Sequence, residues 1–347
     1  MYNILFTFAS ALPPLFGGGQ VSREDYMKKV FVTDGVHPLL IEGLEELGFH
    51  CDYQPKISLE KVRTMVHDYE GIIINSKILM DKAMFDAGKD LKFVGRLGSG
   101  LEIIDLEYAA EKDVAIHRAP EGNCNAVAEH ALGMLLALAN NFFQADAEVR
   151  AKNWQREKNR GFEVMGKTIG IIGFGYTGRS FAEKLEGMGM RVLAYDKYKK
   201  HFANDFRYVE ATNLETIKRE ADIISLHLPY TSETYHYIKS NFIKACKDGV
   251  IFINTSRGSV IHTENLVTYL ENGKIGGACL DVFENEKPQT FSKKEEELYK
   301  RLYACRNVIL SPHVAGWTHE SKKRLAEVLL EKITKNLKAR NLTYKVK

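Results

Sequence analysis

The chain has 347 residues, of which 45% are hydrophobic and 27% charged, so it is long enough for two domains and has the composition of a globular protein. Its formal net charge of +3 and the lack of a basic stripe with interleaved aromatic residues argue against a nucleic-acid partner. Five widely spread cysteines without a C-x-x-C pair fit a cytoplasmic protein, and they predict neither a disulfide framework nor a metal site.

The first 26 residues differ in character from the rest of the chain. Their apolar stretch, residues 4–16, is interrupted by Pro13 and Pro14 and is followed by three glycines. No basic residue precedes this stretch, as one would in a signal peptide, and it is too short to span a membrane. We therefore expect residues 1–26 to be a disordered extension or an upstream start-site artefact, and we expect no membrane partner.

Beyond Met27, short apolar runs alternate with stretches of helical periodicity. Strands alternating with helices predict a parallel sheet that is covered on both faces. The strands are predicted at residues 30–33, 49–52, 72–74, 93–95 and 115–117, and the helices at residues 38–47, 58–67, 81–87 and 105–111.

A mostly apolar segment at residues 126–140 predicts a long buried helix, and the charged stretch 148–160 reads as a helix end and an exposed loop. A second alternation of strands and helices follows, in which Thr263 is the predicted cap of one helix. Its strands are predicted at residues 168–172, 190–195, 223–226, 250–254, 277–280 and 308–310, and an amphipathic helix at 320–337 closes the chain. The sequence thus predicts two α/β units.

The second unit opens with a glycine fingerprint, IGIIGFGYTG at residues 169–178. Within G-x-G-x-x-G, Gly173 permits a tight turn, Gly175 lets the backbone approach a pyrophosphate, and Gly178 lets the following helix pack closely. Asp196 ends the next predicted strand, where its carboxylate can accept both hydroxyls of an adenosine ribose. Because a 2′-phosphate would meet like charge there, the pattern predicts NAD rather than NADP.

Three polar segments follow later strands of this unit. Oxidation of an alcohol by NAD requires a base, a partner that orients the base, and a cation for the negative charge of the substrate. Arg257, Glu286 and His313 are of these three types, although each one alone would be read as an ordinary surface or turn residue. Because carboxyl ends of parallel strands share one sheet edge, together they predict an active site in the cleft between the two units.

On several ordered motifs the chain resembles the D-isomer-specific 2-hydroxyacid dehydrogenase family, over about residues 28–338, and most closely its D-3-phosphoglycerate dehydrogenase branch. Besides the fingerprint, these motifs are GRLGSGLEIIDL (95–106), NAVAEHALGMLLALA (125–139), HLP (227–229), NTSRGSV (254–260), CLDVFENE (279–286) and SPHVAG (311–316).

The resemblance implies two doubly wound parallel-sheet domains. Residues 125–313 would form a Rossmann NAD-binding domain, and residues 27–124 with 314–347 would form a flavodoxin-like substrate domain. The protein would be a homodimer joined through its cofactor domains. Its reaction would be the reversible, NAD-dependent oxidation of a small D-2-hydroxy acid to the 2-keto acid.

The resemblance also implies residue roles. His313 would be the general base in oxidation and the acid in reduction, Glu286 would accept a hydrogen bond from its ring, and Arg257 would hold the carboxylate and polarise the keto oxygen. Arg96, Ser99 and Gly100 would contact the substrate. The implied cofactor contacts are Gly173, Gly175, Tyr176, Thr177, Gly178, Asp196, His227, Pro229, Thr255 and Asp281.

Three positions depart from the family pattern. His262 stands where the family often has aspartate, and Lys287 separates Pro288 from Glu286. Asn75 replaces an arginine that phosphoglycerate enzymes place near the phosphate, which argues against phosphoglycerate as the substrate. Two alternatives therefore remain open: a hydroxypyruvate or glyoxylate reductase, and a non-catalytic NAD-sensing protein like the related transcriptional corepressors.

Overall fold

The structure, a computed structural model, describes residues 28–340 of the chain. The predicted disordered extension at residues 1–26 lies outside the described residues. Two parallel sheets form the framework, one in each half of the described chain. Each sheet is covered by helices on both faces, and its central strands are almost fully buried.

The first sheet has five parallel strands in the order β2-β1-β3-β4-β5. This is the flavodoxin-like order, so the predicted fold of the first unit is confirmed. Helices α1 (Pro38–Glu46), α2 (Leu59–Met65), α3 (Lys82–Ala87) and α4 (Leu106–Glu111) connect the strands. The strands are β1 (Lys28–Val32), β2 (Phe49–Tyr53), β3 (Gly71–Ile74), β4 (Phe93–Arg96) and β5 (Ala115–Arg118).

The second sheet has seven parallel strands in the order β12-β11-β10-β9-β6-β7-β8, which is the Rossmann order with one added strand. Sequence reasoning missed only the short edge strand β8, because two of its three residues are exposed and leave no apolar run. The strands are β6 (Thr168–Ile172), β7 (Arg191–Tyr195), β8 (Val209–Ala211), β9 (Ile223–Leu226), β10 (Val250–Asn254), β11 (Ile275–Leu280) and β12 (Val308–Leu310).

Helices of the second half are α5 (Pro120–Ala139), α6 (Phe142–Arg150), α7 (Tyr176–Leu185), α8 (Leu214–Glu220), α9 (Ser240–Ala245), α10 (Thr263–Glu271), α11 (Lys293–Ala304) and α12 (His319–Ala339). The predicted cap of α10 was wrong by one residue. His262 is the N-cap, and its Nδ1 accepts from the backbone N–H of Asn265 at 3.3 Å, as the aspartate frequent in the family could do.

The closing helix α12 returns to the first unit. Its buried residues Ala326, Leu329 and Ile333 share one apolar core with Val30 and Val32 of β1. Helix α5 packs against α12 and also against α7. The packing of α12 supports a discontinuous first domain, although the boundaries at residues 124/125 and 313/314 stay predictions.

Within the described range, no single helix is long and apolar enough to cross a membrane; α5 and α6 reach that length and composition only as a pair bent by 60°. Many residues of α5 are buried in the core of this chain. The five cysteines carry free thiols.

Candidate active site

The predicted catalytic side chains lie together beyond the carboxyl ends of β10, β11 and β12. His313 Nδ1 lies 2.8 Å from Glu286 Oε2. An ionised carboxylate only accepts hydrogen bonds, so this contact assigns the proton to Nδ1 and leaves Nε2 for the substrate. The two side chains remain 48% and 39% exposed, which leaves them accessible from the cleft.

Glu286 is held as a carboxylate. Partial burial alone would raise its pKa, but the hydrogen bond and charge of His313, the N–H of Phe283 and the charge of Arg257 outweigh burial. The net result is a pKa of Glu286 below its ordinary value. A negatively charged Glu286 supplies a counter-charge for the positive ring that forms during proton transfer.

The loop that carries His313 is fixed by Asp281. The Asp281 carboxylate, only 1% exposed, accepts from the Ser311 hydroxyl at 2.6 Å and from the N–H groups of Val314 and Ala315 at 2.9 and 2.8 Å. These bonds hold His313 in a left-handed backbone conformation with φ of 56°. The structure thus gives Asp281 a role in loop positioning, and its predicted cofactor contact stays a prediction.

Sequence reasoning missed a further part of this network. The Nε2 of His130, on α5, lies 2.9 Å from the Ser311 hydroxyl and so ties the buried helix to the catalytic loop. His130 lies 181 residues before Ser311, and no local pattern could have joined the two residues.

Arg257 reaches across the cleft to the first unit. Its Nε donates to Glu102 Oε1 at 2.7 Å, and its Nη1 donates to the carbonyl of Ser256. A side chain at Gly100 would displace the ends of the Arg257 and Glu102 side chains, so glycine leaves room for this contact between the two units. Sequence reasoning missed Glu102, although it stands inside the quoted GRLGSGLEIIDL segment.

The predicted substrate residues of the first unit surround the same place. Arg96 donates from Nη1 to the side-chain oxygen of Asn75 at 3.1 Å and to the Leu97 carbonyl at 2.6 Å. Within residues 28–340, no acceptor bonds to the backbone N–H of Ser99 or Gly100. Free N–H groups beside two guanidinium groups are suited to a carboxylate.

The glycine fingerprint has the geometry that the sequence predicts. Gly173 has a φ of 91°, and a side chain there would collide with the carbonyl of His227. A side chain at Gly178 would collide with the carbonyl of Gly173, whereas the space around Gly175 is open. Backbone can therefore approach a pyrophosphate at Gly175, at the N-terminus of α7.

Asp196 is held at the end of β7 beside this turn. Its carboxylate accepts from the N–H of Phe174 at 2.8 Å and from the N–H groups of Tyr198 and Lys199 at 3.0 Å. The lysines nearby already have partners, since Lys197 binds Glu233 at 2.7 Å and Lys199 binds the Phe174 carbonyl at 3.0 Å. This arrangement fits the ribose hydroxyls of NAD better than a 2′-phosphate.

Two buried polar atoms at neighbouring strand ends fit a bound cofactor. Among the described residues, His227 Nδ1 and Thr255 Oγ1 have no hydrogen-bond partner. Burial lowers the pKa of His227 to about 3, so its ring is neutral and a polar ligand could satisfy its free nitrogen.

The other predicted cofactor residues occupy the same edge of the sheet. Tyr176 and Thr177 begin α7, and Pro229 is exposed on the loop after β9. The described residues contain no cluster of three or more His, Cys, Asp or Glu side chains placed to hold a metal ion.

Comparison with known proteins places this site in a family. Residues 132–315 match the model of the D-isomer specific 2-hydroxyacid dehydrogenase, NAD binding domain. The hydroxypyruvate reductase of Thermotoga maritima is 35% identical over 298 residues, which cover 86% of this chain and 94% of the relative. The D-3-phosphoglycerate dehydrogenase of Archaeoglobus fulgidus is 32% identical over 90% of this chain, which spans only 58% of that relative.

A solved structure agrees with these sequence matches. The D-lactate dehydrogenase from Aquifex aeolicus, complexed with NAD and lactic acid, superposes with a TM-score of 0.79 at 28% identity. The match covers 90% of this chain and 96% of that structure. From its motifs, fold and site, the chain belongs to the D-isomer-specific 2-hydroxyacid dehydrogenase family and is an NAD-dependent oxidoreductase acting on CH–OH donors.

Proposed function

We propose that the protein interconverts a small, unphosphorylated 2-keto acid and its D-2-hydroxy acid, with hydroxypyruvate or glyoxylate as the keto acid. The observation that carries this proposal is the His313–Glu286 pair at 2.8 Å, which faces the same cleft as Arg257. Such a site can donate a proton to a keto oxygen while a guanidinium group neutralises the adjacent carboxylate.

In reduction, bound NADH supplies the hydride. The protonated His313 ring donates its Nε2 proton to the oxygen of the former keto group, and Glu286 stabilises the ring charge beforehand. Arg257 binds the substrate carboxylate and polarises the keto oxygen. In oxidation the neutral ring accepts the hydroxyl proton instead. General acid–base catalysis of this kind contributes roughly 10²–10⁴-fold to the rate.

We propose an unphosphorylated substrate because of the contacts made by Asn75 and Lys77. Asn75 presents an amide oxygen to Arg96 rather than a second guanidinium group to the cleft. Lys77 donates to the Pro55 carbonyl at 2.7 Å and lies 3.8 Å from Asp34. The strand ends of the first unit therefore offer a phosphate few uncommitted cations.

D-3-phosphoglycerate is the second candidate substrate, since Arg96 matches a substrate-facing arginine of that branch and phosphoglycerate dehydrogenases are among the relatives. A panel of glyoxylate, hydroxypyruvate and phosphohydroxypyruvate, followed by the loss of NADH absorbance, separates the candidates. Preference for the phosphate ester would overturn our assignment. Tight NADH binding without turnover of any keto acid would instead favour the NAD-sensing alternative.

We further propose that two copies associate through the surface that begins at α6. Large apolar side chains are exposed there, with Phe142 at 57%, Phe143 at 67% and Trp154 at 71%. Exposed aromatic residues are typical of protein interfaces. Light scattering should give a dimer for the native chain and a monomer for Phe143→Asp, whereas a monomeric native chain would refute the proposal.

A further inference from the structure

The Glu102–Arg257 contact places a carboxylate of the protein beside the proposed substrate site. Both oxygens of Glu102 face the guanidinium edge, with Oε1 at 2.7 Å from Nε and Oε2 at 3.4 Å from Nη2. The two side chains are only 30% and 28% exposed, so solvent screens this charge incompletely.

The charge of Glu102 also acts on Arg96. Burial lowers the pKa of Arg96, and the nearby Arg257 charge lowers it further, whereas Glu102 and Asp34 oppose both effects. Burial would raise the pKa of Glu102, but Arg257 and Arg96 bring it below its ordinary value. Glu102 is therefore an ionised group between two cations.

A second carboxylate lies on the same side of the cleft. Asp34, at the end of β1, accepts from the N–H of Asn75 at 2.9 Å and from the Thr33 hydroxyl at 3.0 Å. A substrate with one carboxylate can use Arg257 and the free N–H groups of the 99–100 loop. A substrate with a further anionic group must bring it into a region where Glu102 and Asp34 already occupy Arg257 and Lys77.

We infer that Glu102 is a specificity-determining residue, which selects monoanionic 2-keto acids and disfavours substrates that carry a second anionic group. This inference rests on the proposed function. The discrimination between substrates would come from the charge of Glu102 and not from the size of the cleft.

Hydroxypyruvate and its 3-phosphate ester form a matched pair for the test, because they differ only in the phosphate group. The ratio of their kcat/KM values is measured for the native enzyme and for Glu102→Gln. One charge in a partly screened site alters such a ratio by about tenfold, so Glu102→Gln should reduce the preference for hydroxypyruvate by about that factor.

Two control variants separate charge from structure. Glu102→Asp keeps the charge but shortens the side chain, and it should keep the native ratio within about twofold. Glu107→Gln removes the same charge from an exposed position on α4 and should also keep the ratio. If Glu102→Gln slows both acids equally, or if either control changes the ratio as strongly, the inference is wrong.

The outcome can be distinguished from a failure of the proposed function. If the native enzyme reduces neither acid, the proposed function is wrong. Calorimetry of both acids binding to the NADH complex then still tests Glu102. If the ratio of the two affinities is the same for the native enzyme and for Glu102→Gln, the inference is wrong.

Discussion

Replacement of Glu286 by glutamine tests the acid–base pair most directly. Glutamine keeps the shape of the side chain and can still accept a hydrogen bond from His313 Nδ1, but it removes the negative charge. The protonated ring then loses its nearest counter-charge. The ring carries positive charge in the transition state that both directions share, so reduction and oxidation should both slow.

The size of the effect follows from the geometry. At 2.8 Å the Coulomb attraction would be large in a dry site, but exposures of 48% and 39% allow water to screen it. We expect the charge to stabilise the transition state by about 1–2 kcal/mol, or roughly tenfold in rate. Keto-acid reduction and hydroxy-acid oxidation should therefore each slow by about that factor in Glu286→Gln.

The assay is a measurement of kcat/KM in both directions at one pH. Both values for Glu286→Gln should be about tenfold below the native values. Glu284→Gln is the matched control, because Glu284 lies in the same loop but bonds His236 and the N–H of Thr263. An unchanged rate in Glu286→Gln, or an equal loss in Glu284→Gln, would refute the electrostatic reasoning and leave Glu286 only an orienting role.

Three further predictions concern the cofactor site and stability. Glu233→Gln removes the ion-pair partner of Lys197, which lies beside Asp196. The ratio of NADPH to NADH use should then rise severalfold in steady-state assays. An unchanged ratio would show that Lys197 does not reach the 2′-position. Gly178→Ala forces a methyl group against the Gly173 carbonyl, and it should weaken NADH binding in fluorescence titrations and destabilise the fold by about 1–3 kcal/mol; native affinity would contradict the close packing. In the folded protein the pKa of His227 is lowered to about 3, so the ring is neutral. In the unfolded chain the ring takes up a proton below about pH 6.5. The free energy of unfolding should therefore decrease as the pH falls below about 6.5. His227→Asn should show a shallower decline of the melting temperature between pH 6.5 and 5.5, and an identical slope would refute the buried neutral ring.

Local sequence was sufficient for most of the fold because strands and helices have distinct hydrophobic periods. β6, β9, β10 and β12 begin and end where the apolar runs predict. The long helix was predicted from residue 126 but begins at Pro120, because the proline occupies the first turn and the segment after it is polar. The predicted starts of α5 and α10 were wrong because polar residues lie there and leave no apolar pattern.

The sequence by itself determined the cofactor turn and the catalytic residue types, because glycine, acid and strand-end patterns are local and carry their own geometry. Only the tertiary structure brought Glu102 to Arg257, 155 positions later, and His130 to Ser311, 181 positions later. Strand order and the return of α12 decide those contacts, and no short-range pattern encodes either of them. Local sequence therefore predicts the residue types of the site, whereas the packing of the two units determines which charges surround them.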